Sequence, residues 1–169
     1  TKENQRSFNF VNSGFNLRPL DISAAIGMNQ FKRLNKFKKI RDDNKNKIIN
    51  ALKSAKIWKK QLYFLDHLKD LEPNWFGLPI LMDKKYTKNK KKYLAMLDKN
   101  NIETRPILSG NFMNQKSIKL YNLNPNKIKY KTAQEIEDRG FFIGLHTTPL
   151  SNEKLKTLVK KLLLIDKIK

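Results

Sequence analysis

Apolar residues in the first third of the chain recur at helical spacing. Beyond Pro19 they fall three to five positions apart as far as Leu34, which predicts a helix from about 20 to 33. The spacing resumes at Phe37 with charged residues in between, so a second long helix, or a continuation of the first, is predicted to about residue 55. Residues 1–19 show no periodicity, and we expect their apolar side chains to dock on another surface.

The rest of the chain mixes strand-like and helix-like patterns. Short apolar runs predict three strands, at 75–81, 102–108 and 140–145. Helical spacing predicts one helix from Thr87 to Lys99 and a last helix from Asn152 to Ile168, with Ser151 or Asn152 as its cap. This order of elements predicts a small α+β domain.

Two local features complete this prediction. Pro79 lacks the backbone N–H that a sheet needs, so it is predicted to occupy an edge or bulge position. Residues 58–65 are predicted to form a loop. We divide the chain into a helical arm over residues 1–55 and a small α+β domain over residues 56–169.

Length and composition allow one domain or slightly more. The 169 residues include 39% apolar residues, enough to bury roughly 70% of the unfolded surface and to exclude wholesale disorder. No apolar run approaches the ~18 residues of a membrane helix, and residues 1–10 lack the apolar core of a signal peptide, so we expect a cytoplasmic protein without membrane contact. The chain has no cysteine and only two histidines, which leaves disulfides, thiolate catalysis and most metal sites poorly supplied.

The net charge of +21 suggests a nucleic-acid-binding module, because clustered lysine and arginine neutralise phosphates. Only six of the 36 basic residues are arginines, however, and arginine is the type that base readout and bidentate phosphate binding favour. The densest lysine run, residues 84–92, falls where a short helix is predicted to begin, and a solvated helix face explains it at least as well as a phosphate-binding track. A Lys-rich nucleic-acid-binding module without catalysis remains the alternative function.

The segment from Gly14 to Gly27 places polar groups just before the first predicted helix. Asn16 and Arg18 put an amide and a guanidinium on one side of an extended stretch. This pair suits an anion such as a phosphate or a carboxylate. An alternative of equal weight has Asn16 capping a turn and Arg18 pairing with Asp21.

The second and third predicted strands also carry side chains that can take part in binding or catalysis. Glu103 and Arg105 share one face of the second strand, because side chains alternate with period two. Either they line a site or they simply pair with each other. His146 follows the last strand, where a lone histidine is more often structural than catalytic. His67 lies in a polar stretch without a motif, and we expect it at the surface.

These segments resemble the DegT/DnrJ/StrS family, the pyridoxal-phosphate-dependent sugar aminotransferases and their dehydratase relatives. The run GFNLRPLDISAAIG from Gly14 follows the family pattern, and the match continues through Leu34 to Arg41. The stretch 101–112 is similar to the family's T-R-P strand with a G-N-F extension. The stretch 141–146 is similar to the Phe-Phe-Ile-Gly-x-His ending of the nucleotide-sugar 3-dehydratase branch, so the resemblance is closest to that branch.

The resemblance implies a fold and a set of site residues. The implied fold is the C-terminal small α+β domain of a fold type I aminotransferase-like enzyme, with a mainly antiparallel sheet, helices packed on it and a long helical arm before it. Asn16 would reach the cofactor phosphate of the neighbouring subunit. The implied substrate-binding residues are Arg18, Glu103, Arg105, Asn111 and His146.

The implied activity acts on a 4-keto-6-deoxy sugar nucleotide, by transamination or by removal of the C3 hydroxyl, in surface polysaccharide biosynthesis. The implied cofactor is pyridoxal 5′-phosphate or pyridoxamine 5′-phosphate, and the implied assembly is a homodimer with shared active sites and no nucleic acid. The catalytic lysine or histidine of such enzymes is not identifiable here, and we expect it in a large domain upstream of Thr1. We therefore expect a C-terminal portion that is inactive by itself.

Overall fold

The computed structural model describes residues 12, 14, 20–65 and 70–168. Its first helices are α1, Asp21–Phe31, and α2, Leu34–Lys53, which confirm the two helices predicted from apolar spacing. Every residue of α1 is exposed, with Phe31 at 75%. α1 therefore carries exposed apolar side chains, among them Ile22, Ile26 and Met28.

Four strands form one antiparallel sheet in the order β1-β2-β4-β3. The strands are β1, Leu62–Phe64; β2, Gly77–Met82; β3, Thr104–Arg105; and β4, Gly140–Gly144. β2 and β4 occupy the centre and pair from Gly77 opposite Gly144 to Leu81 opposite Gly140. The predicted strands at 75–81 and 140–145 are confirmed, and the sheet is antiparallel as the family resemblance implies.

Two of the predicted boundaries are wrong. The loop predicted at 58–65 contains β1, whose three residues are too few to show the alternation that marks a strand. The strand predicted at 102–108 is reduced to the two residues of β3. Pro106 follows directly, and it has no N–H with which to continue the pairing.

Pro79 belongs to a central strand, but it occupies a local edge position, which agrees with the predicted edge or bulge position. β2 is central, but β1 pairs only with residues 80–82 of it. At Pro79 the strand has a paired neighbour on one side only, which is Phe142 of β4. The missing N–H is thus tolerated locally for the same reason that a sheet edge tolerates it.

Helices and short 3₁₀ turns complete the fold. The helices are α3, Lys90–Lys99; α4, Lys116–Leu120; α5, Lys131–Arg139; and α6, Asn152–Leu162. The 3₁₀ turns are Lys84–Asn89, Phe112–Asn114 and Leu163–Lys167. Ser151 caps α6, as predicted, by accepting a hydrogen bond from the backbone N of Lys154 (3.3 Å). The sequence pattern did not predict α4 or α5.

One hydrophobic core joins the sheet to α2, α3 and α6. Leu52, Leu78, Leu97, Phe141 and Leu162 are fully buried in it. The Tyr93 ring meets the Phe141 ring edge to face at 5.9 Å. α2 contributes Leu52 to this core, so the C-terminal half of α2 packs with the domain. The domain division at residue 55 stays a prediction.

The lysine-rich run at 84–92 takes part in internal contacts. Lys84 pairs with Glu135 of α5 at 2.8 Å. Lys90 donates to the backbone carbonyl of Glu137 at 2.6 Å, and burial lowers the pKa of its ammonium group. These two lysines therefore connect the start of α3 to α5. Within the described residues, no helix is both long and apolar enough to span a bilayer.

Asp166 anchors the C-terminal 3₁₀ turn to the rest of the domain. It accepts hydrogen bonds from the Tyr86 hydroxyl and from Nε2 of the buried Gln61 (2.7 Å). The bond from Tyr86, together with the bond from Gln61, holds the pKa of Asp166 below its ordinary value. Ionisation of Asp166 therefore stabilises the folded state.

This network predicts a specific acid sensitivity. The stabilisation by Asp166 is present above the unfolded pKa of about 3.9 and is lost as the pH falls through the lower folded value. Urea unfolding should therefore show that Asp166→Asn destabilises the protein more at pH 7 than at pH 3. A loss of the same size at both pH values would show that the ionised carboxylate does not contribute.

Candidate active site

A cavity of about 280 Å³ opens where β3, β4 and the loop after β4 face α2. Its lining residues are Arg41, Phe76, Glu103, Arg105, Phe142, Gly144, Leu145, His146 and Thr147. The structure thus brings together Glu103, Arg105 and His146, three of the residues predicted for the substrate site. Within the part of the chain that the structure describes, no cluster of side chains is suited to hold a metal ion.

Arg41 reaches the cavity from α2. Its Nε donates to the backbone carbonyl of Leu145 at 3.2 Å, and Nη1 donates to Oδ1 of Asn74 at 3.4 Å. The guanidinium carbon lies 6.0 Å from the centre of the Phe76 ring, which is cation–π distance. Phe76 in turn meets Phe142 edge to face at 6.0 Å. The cavity therefore combines a fixed cation with an aromatic wall.

Glu103 and Arg105 form an ion pair in the same lining. Nε and Nη2 of Arg105 both lie 2.9 Å from Oε1 of Glu103. The pairing anticipated from the strand period is confirmed. Both side chains are at least half exposed, and exposed pairs of this kind contribute about 0 to 1 kcal/mol.

Asn44 fixes the loop that carries His146. Its side chain is buried on α2 and makes three hydrogen bonds to the backbone of residues 146–150. Nδ2 donates to the carbonyls of His146 (3.2 Å) and Thr148 (2.8 Å), and Oδ1 accepts from the N–H of Leu150 (2.8 Å). An amide matches this set because it offers both donors and an acceptor. Together with the bond from Arg41 to Leu145, these contacts attach the loop to α2.

Comparison with known proteins identifies the family. The profile of the DegT/DnrJ/EryC1/StrS aminotransferase family matches residues 1–163. The chain belongs to this family. The resemblance carried by the three sequence segments is therefore confirmed.

The relatives of this DegT/DnrJ/EryC1/StrS member include 3-dehydratases. GDP-4-keto-6-deoxy-D-mannose 3-dehydratase of Escherichia coli O55:H7 is 30% identical over 159 residues, which cover 88% of this chain and 37% of that protein. The solved E. coli enzyme with bound hydrated PLP is 28% identical with a TM-score of 0.67, covering 94% of this chain and 39% of that chain. A solved 3-dehydratase mutant with bound GDP-perosamine is 29% identical with a TM-score of 0.66, covering 92% and 39%. The chain thus spans less than two fifths of the length of these relatives.

The fold implied by the family is confirmed for the part present.

The predicted site residues of this family member divide into three groups. Glu103, Arg105 and His146 line the cavity. Asn16 and Arg18 lie outside the described residues, as does His67, so their predicted roles stay predictions.

Asn111 is not among the residues that line the cavity. It is buried, and its Nδ2 donates to Oε1 of Gln134 (3.0 Å) while its Oδ1 accepts from the N–H of Met113 (3.1 Å). Its own N–H donates to Oε2 of Glu137 at 2.9 Å. The structure thus uses Asn111 to hold a 3₁₀ turn against α5, and a substrate contact for it stays a prediction.

Sequence reasoning did not single out Arg41, Asn44 or Phe76 as site residues. Arg41 and Asn44 are three residues apart on α2, which places them on neighbouring positions of one helix face. Within a charged helix they look like solvated residues. The buried state of Asn44, at 3% exposure, is the signal that marks it, and only the structure supplies that signal.

Proposed function

We propose that this chain forms the C-terminal part of a pyridoxal-phosphate-dependent nucleotide-sugar enzyme and supplies one wall of its substrate site. The observation that carries the proposal is the cavity that gathers Arg41, Arg105 and His146 beside Phe76. Guanidinium groups suit the diphosphate of a nucleotide sugar, and an exposed ring offers a face for a base or a sugar. The relative with bound GDP-perosamine supports a GDP-linked sugar as substrate.

The proposed reaction is removal of the C3 hydroxyl from a 4-keto-6-deoxy sugar nucleotide. Identities of 28% to 30% to GDP-4-keto-6-deoxy-mannose 3-dehydratases support it. Transamination of the same class of substrate is the alternative within the family. Because the chain spans 37% to 39% of these relatives, either reaction belongs to a longer polypeptide.

The cofactor, pyridoxal or pyridoxamine phosphate, supplies an electron sink when bound. Among the described residues, the cavity lining contains no lysine, and its one carboxylate, Glu103, is paired with Arg105. The residues present thus do not form a cofactor cradle, and we propose that a separate domain holds the cofactor with help from Asn16 of the neighbouring subunit. The exposed apolar side chains of α1 support such a contact. A homodimer and a cytoplasmic location belong to the same proposal.

The test compares this chain alone with a complete polypeptide that carries it behind a cofactor-binding domain. Each receives pyridoxal phosphate, glutamate and GDP-4-keto-6-deoxymannose. We expect mass spectrometry to find a product without the C3 oxygen for the complete polypeptide and no product for the chain alone. A 4-amino product would assign the aminotransferase reaction instead. Turnover by the chain alone, or none by the complete polypeptide, would contradict the proposal.

A further inference from the structure

The two guanidinium groups of the cavity differ in what neutralises them. Arg105 directs Nε and Nη2 to the carboxylate of Glu103. Within the described residues no carboxylate lies at ion-pair distance from Arg41. The structure therefore leaves Arg41 as the arginine of the cavity whose charge is not compensated.

Arg41 is also held in place without using up its donors. A guanidinium carries five N–H groups, and Arg41 spends one on the Leu145 carbonyl and one on a 3.4 Å contact to Asn74. The remaining donors make no further hydrogen bond among the described residues, and they face the cavity that Arg41 lines. The bond from Nε to the Leu145 carbonyl already holds the guanidinium in place, so less side-chain entropy is lost when an anion binds.

The surroundings of Arg41 strengthen its attraction for an anion. The Phe76 ring lies 6.0 Å from its guanidinium carbon, and the buried Leu145 is its hydrogen-bond partner. Apolar walls lower the local dielectric constant and increase charge–charge interaction. Glu103, which is paired with Arg105 in the same lining, repels an anion near Arg105, so the anion's favoured position is beside Arg41.

From this contrast we infer that Arg41, and not Arg105, is the principal diphosphate-binding residue of the site, an inference that rests on the function proposed above. The cavity of about 280 Å³ lies just under the range of about 300 to 1,000 Å³ that is usual for whole ligands. It therefore takes the diphosphate part of the substrate, while the base and the sugar extend beyond the cavity.

Titration calorimetry on the complete polypeptide tests this, with GDP and inorganic diphosphate as the probes. Arg41→Ala should weaken binding of both by at least about tenfold, the usual scale for loss of a charge-assisted contact. Arg105→Ala should weaken it by a smaller factor than Arg41→Ala, and Arg33→Ala is the matched control, since Arg33 is exposed and is not among the lining residues. Arg41→Lys keeps the charge but loses the paired N–H donors of the guanidinium. Its affinity for both probes should lie between those of the wild type and Arg41→Ala. A urea midpoint for each variant verifies that it is folded.

The outcomes separate the two proposals. Binding that survives Arg41→Ala, or that depends more on Arg105, would overturn the inference and leave the proposed function standing. Diphosphate binding that depends on Arg41, with no binding of GDP, would support the anion site and count against a nucleotide-sugar substrate. Absence of binding of both probes to the wild type would overturn both proposals.

Discussion

Replacing Asn44 by alanine is expected to lower the free energy of unfolding by about 2 to 4 kcal/mol. The substitution removes three hydrogen bonds to the loop at 146–150. It leaves two carbonyls and one N–H without their partner, and each buried group left unpaired costs about 1 to 3 kcal/mol. Water reaches the exposed residues His146 and Thr148, which keeps the total below the sum of three full penalties.

Urea unfolding followed by the fluorescence of Trp58 and Trp75 measures this loss. Asn46→Ala is the matched control, since Asn46 lies on the same helix and is exposed, and it should change stability by no more than about 0.5 kcal/mol. Asn44→Asp should also destabilise, because it replaces the amide donor with an oxygen that faces two carbonyls. Equal stability of Asn44→Ala and the control would show that the loop does not depend on Asn44.

Gly140→Ala is expected to destabilise the protein by about 3 kcal/mol, the upper part of the usual cost of overpacking. A Cβ at this position would press on the backbone carbonyl of Ile136, the same oxygen that accepts the N–H of Gly140 at the end of α5. It would also lie 2.9 Å from Cδ1 of Ile107. The carbonyl is fixed by the helix, so the clash is relieved only by moving α5 away from β4.

Gly144→Ala is the control for this substitution, because it lies on the same strand and a Cβ there meets nothing within 4 Å. It should be neutral or stabilise by up to about 1 kcal/mol through a less flexible unfolded chain. The same urea titration compares the two variants. Similar stability of both would contradict the close packing of α5 against β4.

How far the sequence predicts this fold depends on the length of each element. The 20 residues of α2 and the apolar runs of β2 and β4 show enough periods to be recognised. By contrast, α5 is mostly polar and is held by tertiary contacts such as the bond from Arg139 Nη1 to the Met82 carbonyl (2.6 Å). Such contacts leave no periodic trace in the sequence.

The same limit applies to the candidate site. Glu103 and Arg105 are two residues apart, so the strand period alone places them on one face and leaves open whether they pair. Asn44 and Arg41 contact a loop more than 100 residues away, and nothing local distinguishes them from solvated residues of a charged helix. Family resemblance names positions near a substrate, but it does not show which arginine already has a carboxylate partner.

Hydrogen–deuterium exchange on the complete polypeptide, with and without saturating GDP, tests most directly that this cavity is the nucleotide site. We predict slower amide exchange with GDP at residues 141–148, the end of β4 and the loop that Asn44 and Arg41 hold. Exchange at residues 152–162 of α6, away from the cavity lining, should change little. Unchanged exchange at 141–148 in a sample that binds GDP would contradict the account.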